Sequence, residues 1–510
     1  MKNISRCGPV LIANRGEIAI RIARTCRSLG FVTVGIYSDA DRFSEHVRHC
    51  DFAYPVGPPS PKESYLNVEK ILKIAETAKV KYVHPGYGFL SERPHFVEAC
   101  EKAGLVFVGP SADSMRRMGD KIQARANVDR LKVPRVPGSV GAVANENEAS
   151  KVANEIGYPI LLKAAAGGGG KGMRRVDSQA ELLSAFGAAS REALGAFGDG
   201  SLYVEKLILE PHHVEVQVFG DGKGKAIHLG ERECSIQRRH QKVWEESPSP
   251  ILTQFPKTRE SMFAAAVRVA ESVHYAGAGT FEFIVDGKGN YYFLEMNTRL
   301  QVEHPVTEWV TGLDLVAWQL LLACGELTLP EVPQCRGSAI EVRLYAEDPH
   351  HFLPAPGALG RIQLPSGAFV RSDSALTEEG EVSVHYDPMI SKISVWAPSR
   401  SEAIDRMRVA LDEARVQPPK KPDGTDLGSL KTNLSFLRRL VRNEAVLAGN
   451  TTTDLIGRFP DLTSEMSPPV SFEAALAVSL IQLLQDSEKS SAHATHSAWA
   501  QIARQQGVRL

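Results

Sequence analysis

Three runs in this sequence gather side chains of types and spacings that could handle a polyphosphate, a hard metal ion and a small oxyanion. The first is Lys163-Ala-Ala-Ala-Gly-Gly-Gly-Gly-Lys-Gly172, which follows the apolar run 159–162 and precedes Arg174 and Arg175. Glycine lets backbone N–H groups approach an anion closely, so Gly167, Gly168, Gly169, Gly170 and Gly172 are candidates for cradling one. No Ser or Thr follows Gly-Lys, so the tract is not a P-loop, and the run GYGFLS at 86–91 fails the dinucleotide fingerprint at its last position. A flexible glycine linker is the competing reading of the tract.

The second run is Phe281 to Asn297, whose pattern predicts two strands around a turn at 286–290. If the pairing is symmetric, Glu282 lies opposite Glu295, and directly opposed carboxylates repel. Asn297 shares the face of Glu295, so three oxygen ligands would converge where Mg²⁺ or Mn²⁺ could relieve the repulsion and bridge phosphates. A one-residue bulge would separate the glutamates and leave an ordinary acidic hairpin face.

The third run is Arg299-Leu-Gln-Val-Glu-His304, in which Arg299, Gln301 and Glu303 would share one side if the segment is extended. An arginine, an amide and a carboxylate can hold bicarbonate and accept its proton. A fourth, cationic group, 235–242 with Gln237, His240 and Lys242, lies between Glu231, Glu233, Glu245 and Glu246; a solvated charged loop is its alternative.

The elements that must position these groups follow from periodicity. Alternating short apolar strands and amphipathic helices up to about residue 115 predict an α/β domain with a parallel sheet: strands at 10–13, 31–37, 82–84 and 106–108, helices at 18–28, 68–78 and 96–103. A helical stretch at 115–131 leads to Pro134 and Pro137, a linker into the unit with the glycine tract. From Val214 strands dominate, with a long helix at 258–276 between them, giving an α+β core. The segments 416–429 and 487–497 are polar and predicted to be exposed.

Composition narrows the class. At 510 residues and 43% hydrophobic the chain can form several domains, and a net charge of −1 offers no global footprint for nucleic acid. Seven scattered cysteines without a CxxC argue against a disulfide framework or thiolate zinc site and fit a reducing cytoplasm. Neither a targeting segment nor a membrane span is expected.

Taken together, the runs ANRGEIAIRI at 13–22, HPGYGFLSE at 84–92, MGDK at 118–121, KAAAGGGGKGMR at 163–174, ERECSIQRRHQK at 231–242, EMNTRLQVEHPVTE at 295–308 and EVRLYAED at 341–348 resemble biotin carboxylase, a member of the ATP-grasp superfamily, in the same order up to about Arg442. The resemblance implies a Rossmann-like N-terminal domain (1–115), an ATP-grasp domain (116–330) with a mobile lid at about 136–206, a biotin carboxylase C-terminal domain (331–445), and an extension (446–510) without an assigned role. It implies ATP- and bicarbonate-dependent carboxylation of biotin through carboxyphosphate. Lys121 and Lys163 would contact the nucleotide, the 167–172 glycines would cover the triphosphate, and Glu205, Lys206, Leu207, His213, Gln237 and His240 would line the site. Glu282 and Glu295, with Asn297, would bind Mg²⁺ or Mn²⁺. Lys242, Arg299, Gln301 and the Val302 backbone would hold bicarbonate, Glu303 would be its base, and Arg343 would stabilise the biotin enolate oxygen.

The sequence departs from the family at Leu207, where tyrosine is frequent, at Trp244, and in the length of 416–429. No Met-Lys-Met biotin attachment site occurs, so the resemblance implies biotin on a separate carrier protein, with a carboxyltransferase partner that selects the final acceptor, and a homodimer. Another bicarbonate-using ATP-grasp ligase of the carbamoyl phosphate synthetase type, or a silent nucleotide-binding regulatory subunit, are the alternatives. By the resemblance, Arg343 in its EVRLYAEDP setting, with the HPGYGFLSE and QRRHQK runs, favours the carboxylase over the other ligase, and the presence of every proposed catalytic side chain disfavours a silent subunit.

Overall fold

The computed structural model describes residues 8–165, 173–239, 241–465, 476 and 479–481. The chain divides into two units, Met1–Thr463 and Ser464–Leu510. In the second, Leu476 and 479–481 are helical; the rest of the apolar stretch 472–484 and the polar segment 487–497 lie outside the described residues.

The first unit begins with a five-stranded parallel sheet in the order Phe52–Gly57, Thr33–Ser38, Val10–Ile12, Tyr82–His84, Val106–Phe107. Val10, Leu11 and Ile12 are fully buried, as a central parallel strand covered on both faces requires. Helix Gly16–Ser28 buries Ile18, Ile22 and Cys26 at helical spacing. The strand Phe52–Gly57 is not among those expected from sequence: it is the sheet edge and mostly outside the core, and Pro55 interrupts its apolar run Phe52-Ala53-Tyr54, which argues against a strand when read locally.

A second, eight-stranded antiparallel sheet runs Tyr291–Asn297, Ala276–Val285, His212–Asp221, Ala226–Glu233, Trp244–Ser247, Ser338–Tyr345, Met389–Ala397, Val370–Ser374. It continues across residue 330, because Trp244–Ser247 pairs with Ser338–Tyr345. One face is apolar. Val214, Val216, Val218, Phe281 and Phe283 pack under helix Pro256–Ser272 at one end, and Ile340, Val342, Ile393 and Val395 pack with Phe436 and Leu437 at the other. Val446, Leu455 and Leu462 join that same core. The long helix ends at Ser272 rather than 276, since Ala276 already opens the next strand.

The opposite face is polar and also buried, and it carries the chemistry. Arg232 pairs across the strands with Glu215, Glu215 with Glu282, and Glu282 with Glu295. Further along the sheet Glu245 lies opposite Glu341, and Arg343 opposite Lys392, which lies opposite Asp373. A smaller three-stranded sheet, Met173–Val176, Ile160–Ala164, Leu202–Lys206, with helices Glu146–Ile156 and Gln179–Phe197, has a separate core around Ile160, Leu162, Val176 and Val204. The segment 416–429 is largely exposed as expected. The six described cysteines are free thiols, and no described helix is long and apolar enough to cross a membrane.

Candidate active site

Lys242 is the hub of the polar face. The short hairpin Gln237–Arg238 and Gln241–Lys242 presents it, and its Nζ donates to Glu215 Oε2 at 2.6 Å, Glu303 Oε1 at 2.7 Å and Glu282 Oε1 at 2.9 Å. Arg343 grips the far side of Glu303, donating from Nη2 to Oε2 at 2.9 Å and from Nε to Glu245 Oε1 at 2.6 Å. Arg232, fully buried beneath the row, donates to Glu215 at 2.6 Å, Gln217 at 2.7 Å, Thr307 at 2.8 Å and Thr280 at 3.1 Å. Three cations thus offset the buried carboxylates, which a dry interior would otherwise not tolerate in charged form.

The electrostatics follow from these contacts. Burial disfavours the Glu303 carboxylate, yet Lys242, then Arg343 and Arg232, hold its pKa well below the usual range. Burial works equally against the Lys242 ammonium, and Glu215, Glu282 and Glu303 raise it well above an ordinary lysine. Glu245 goes the other way: burial, aided by Glu303, pushes it from 4.5 to about 7 against the pull of Arg343 and Lys242. Because its folded value is raised, the stabilisation linked to its proton is complete below about 4.5 and is lost as pH rises through about 7. Glu245→Gln removes that titration, so its melting temperature relative to wild type should improve from pH 5 to pH 8; a difference constant with pH would contradict this.

The run 299–303 is not one extended strand. It bends and then turns into helix His304–Thr311, with Glu303 at the N-cap and Pro305 in the first turn. Strand alternation is therefore not what arranges Arg299, Gln301 and Glu303, and each takes its own partners. Glu303 meets Lys242 and Arg343, whereas Arg299 Nε donates to Glu92 Oε2 at 2.9 Å and Nη2 to Asn297 Oδ1 at 3.3 Å. Gln301 is buried, and its amide nitrogen has no protein partner among the described residues. Such a donor calls for a ligand acceptor.

Glu282 does pair with Glu295. The pairing is not symmetric, however: a bulge between the turn and this pair skips Leu294 after Phe283 takes Phe293, so the bulge brings the two glutamates together where unbroken pairing would set Glu282 against Leu294. Glu282 is buried and Glu295 exposed, and Asn297 Nδ2 donates to Glu282 Oε1 at 2.9 Å. This all-oxygen donor set suits a hard divalent ion. His213 Nε2 lies 3.1 Å from Glu282 Oε2, and the Gln237 amide lies 3.0 Å from His213 Nδ1; burial lowers the His213 pKa, but Glu282 and Glu215 together leave it raised. The ligand atoms of His213, Glu215 and Glu282, and of Glu215, Cys234 and Glu303, also cluster within 4.8 Å. Both groups share their carboxylates with Lys242 and lie within the ion network.

On the three-stranded sheet, Lys163 Nζ pairs with Glu205, which also accepts from Arg125 at 3.1 Å. Lys206 Nζ turns back onto the Gly157 and Tyr158 carbonyls at 3.0 and 2.8 Å. Leu207 follows this strand and donates its N–H to Pro159. The Lys121 side chain, the glycines Gly167, Gly168, Gly169, Gly170 and Gly172, and His240 lie outside the described residues. Trp244 is a core residue whose indole N–H reaches Glu246 at 3.3 Å.

Glu92, Glu215, Arg232 and Lys392 receive no role from the sequence, and Glu245 is named there only as an acidic neighbour of the cationic run. Arg232 and Lys392 had a usable signal, a lone cation within a strand. Glu215 had none, because alternation in VEVQVFG reads as a half-solvated strand.

A Rossmann-type sheet, a small α/β unit carrying a glycine tract, and an antiparallel sheet with an acid–base cluster on its polar face define the chain as an ATP-grasp ligase. Residues 6–115 match the family described as "Biotin carboxylase, N-terminal domain", 120–332 "Carbamoyl-phosphate synthase L chain, ATP binding domain", and 341–458 "Biotin carboxylase C-terminal domain". The chain is 48% identical over 451 residues to a biotin carboxylase of Halalkalibacterium halodurans, covering 88% of this chain and 96% of that one. It is 44% identical over 493 residues to the mitochondrial methylcrotonoyl-CoA carboxylase subunit alpha of Rattus norvegicus, covering 96% and 67%. The biotin carboxylase domain dimer of Hydrogenobacter thermophilus 2-oxoglutarate carboxylase, solved with MgADP, ADP and bicarbonate, matches with a TM-score of 0.80 at 42% identity, covering 90% of this chain and 99% of that one. The chain belongs to the biotin carboxylase family.

Proposed function

We propose that this chain catalyses the ATP- and bicarbonate-dependent carboxylation of biotin N1, the first half-reaction of a biotin-dependent carboxylase. The observation that carries the proposal is Glu303, fully buried between Lys242 and Arg343, with Gln301 two residues before it buried and its amide nitrogen without a protein partner among the described residues. Lys242, Arg299, Gln301 and the Val302 backbone bind bicarbonate, and Glu303 takes its proton as the oxygen attacks the γ-phosphate. Carboxyphosphate then yields CO₂ and phosphate, the phosphate deprotonates biotin, and Arg343 stabilises the enolate oxygen. Lys121, Lys163, Glu205, Lys206, Leu207, His213, Gln237, His240 and the 167–172 glycines serve the nucleotide. Glu282, Glu295 and Asn297 would hold Mg²⁺ or Mn²⁺, which when bound supplies positive charge to the phosphates.

The proposed division is 1–115, 116–330 with a lid at about 136–206, 331–445, and an extension at 446–510. The proposed setting is cytoplasmic, as a homodimer, with biotin delivered on a separate carrier protein and passed to a carboxyltransferase subunit. The ATP-binding match is shared with carbamoyl phosphate synthesis; the matches on both sides of it and the Glu303–Arg343–Glu245 chain support the carboxylase. ADP release should require bicarbonate and rise with free biotin. Bicarbonate-dependent release indifferent to biotin would shift the assignment to the other ligase class.

Arg299 tests the bicarbonate arm. Glu92 holds it through Nε and also accepts the Thr298 N–H at 2.9 Å. Glu92→Gln is expected to raise the bicarbonate KM roughly 10-fold, the loss of one charge-assisted bond, with the ATP KM within about 2-fold. Equal changes in both constants would count against a dedicated bicarbonate role.

A further inference from the structure

Lys392 is a cation of the buried face that no step above employs. Lys392 lies in strand Met389–Ala397 and is 1% exposed. Its Nζ donates to the Val302 carbonyl at 2.8 Å and lies 3.4 Å from Glu17 Oε1 and 4.0 Å from Asp373 Oδ2. Glu17 belongs to helix Gly16–Ser28 and accepts the Tyr87 hydroxyl, and Lys392 Nζ sits 5.9 Å from the centre of the Tyr87 ring. One ammonium therefore joins the N-terminal α/β layer, the C-terminal end of the large sheet and the turn carrying Gln301, Val302 and Glu303.

That turn is fixed one peptide at a time. The Gln301 carbonyl accepts from the His304 N–H at 3.4 Å and lies 2.8 Å from His304 Nδ1. Burial and the cations Lys392, Arg21 and Arg371 keep His304 neutral, which suits an Nδ1–H donating to that carbonyl. The Val302 carbonyl is fixed by Lys392. In a planar trans peptide the N–H points opposite the C=O, so His304 directs the Val302 N–H away from itself, and Lys392 directs the Glu303 N–H away from its own ammonium. Without Lys392 the second peptide plane loses its fixed partner at the residue before the proposed base.

We infer that Lys392 is a positioning residue for bicarbonate, its ammonium clamping the Val302 carbonyl so that the Val302 backbone and the Glu303 carboxylate face the substrate. The inference rests on the carboxylase reading. It assigns Lys392 no contact with any substrate, and Glu17 and Asp373 act only by holding the ammonium in place.

The test compares wild type, Lys392→Met, Lys392→Arg and the double variant Glu17→Gln/Lys392→Met in steady-state ATP cleavage, varying bicarbonate and MgATP separately. The double variant removes a buried carboxylate together with its cation and serves if the single methionine variant melts below the assay temperature. The bicarbonate KM is expected to rise roughly 10- to 100-fold in the methionine variants, the loss of one hydrogen bond from a charged donor, with the MgATP KM within about 2-fold and partial recovery in Lys392→Arg. An unchanged bicarbonate KM would overturn the inference. So would a parallel loss of bicarbonate and nucleotide affinity, which marks a merely structural lysine. A wild-type chain without bicarbonate-dependent cleavage would instead sink the carboxylase reading.

Discussion

Glu303→Gln is expected to lower kcat for bicarbonate-dependent ATP cleavage by about 100- to 10,000-fold, the usual contribution of a positioned general base. The fold should survive the change. Lys242 keeps Glu215 and Glu282, and Arg343 keeps Glu245, so neither cation is stranded, and glutamine retains the shape of the buried side chain. Nucleotide affinity should stay within about 3-fold, because the carboxylate is assigned to bicarbonate and not to ATP. Steady-state kinetics with calorimetric MgADP binding would check both halves. A variant within tenfold of wild-type kcat would remove Glu303 as the base.

Lys242→Met should cost activity and stability together. Its ammonium is shared by Glu215, Glu282 and Glu303, all buried, and removing one partner of a buried ion network typically costs about 3–5 kcal/mol. The same ammonium is assigned to bicarbonate, so turnover should fall by about 1,000-fold or more, a loss of transition-state charge stabilisation. The loss of stability has a sign in pH. In wild type the Glu303 carboxylate is held well below its ordinary range, so its contribution is complete above that range and disappears as pH falls through the folded value. Without Lys242 the buried carboxylates retain their protons to higher pH, and the deficit should widen as pH rises. Thermal melting at pH 5.5 and pH 8 should therefore show the larger gap at pH 8, and Lys242→Met/Glu215→Gln should recover part of it. A melting temperature equal to wild type at both pH values would contradict the hub role.

Much of the N-terminal layer is legible in the sequence because short strands alternate with amphipathic helices: Val10 to Ile12 is unbroken apolar, and Tyr82 and Val83 lead into the buried His84. The pairing of Glu282 with Glu295 was not legible, because the Asp286 to Asn290 turn alone would set Glu282 against Leu294, and the bulge that skips Leu294 supplies the match. The polar face was harder. His213, Glu215 and Gln217 alternate with Val214, Val216 and Val218, and that pattern ordinarily means one wet face. Here both faces are buried, and the ion network makes the second one tolerable. Which carboxylate meets which cation depends on cross-strand order, bringing Glu245 next to Glu341 and Arg343 next to Lys392, information that no local window contains. The bend at 299–303 was available: Glu-His-Pro with an apolar continuation marks a helix start, and reading the segment as extended overlooked Pro305.

The most direct test of the central claim is transfer of label from [¹⁴C]bicarbonate to free biotin by the purified chain with MgATP. Carboxybiotin should form only when ATP, bicarbonate and biotin are all present, decompose in acid, and be lost in Glu303→Gln. ATP cleavage that consumes bicarbonate while leaving biotin unlabelled would contradict the claim.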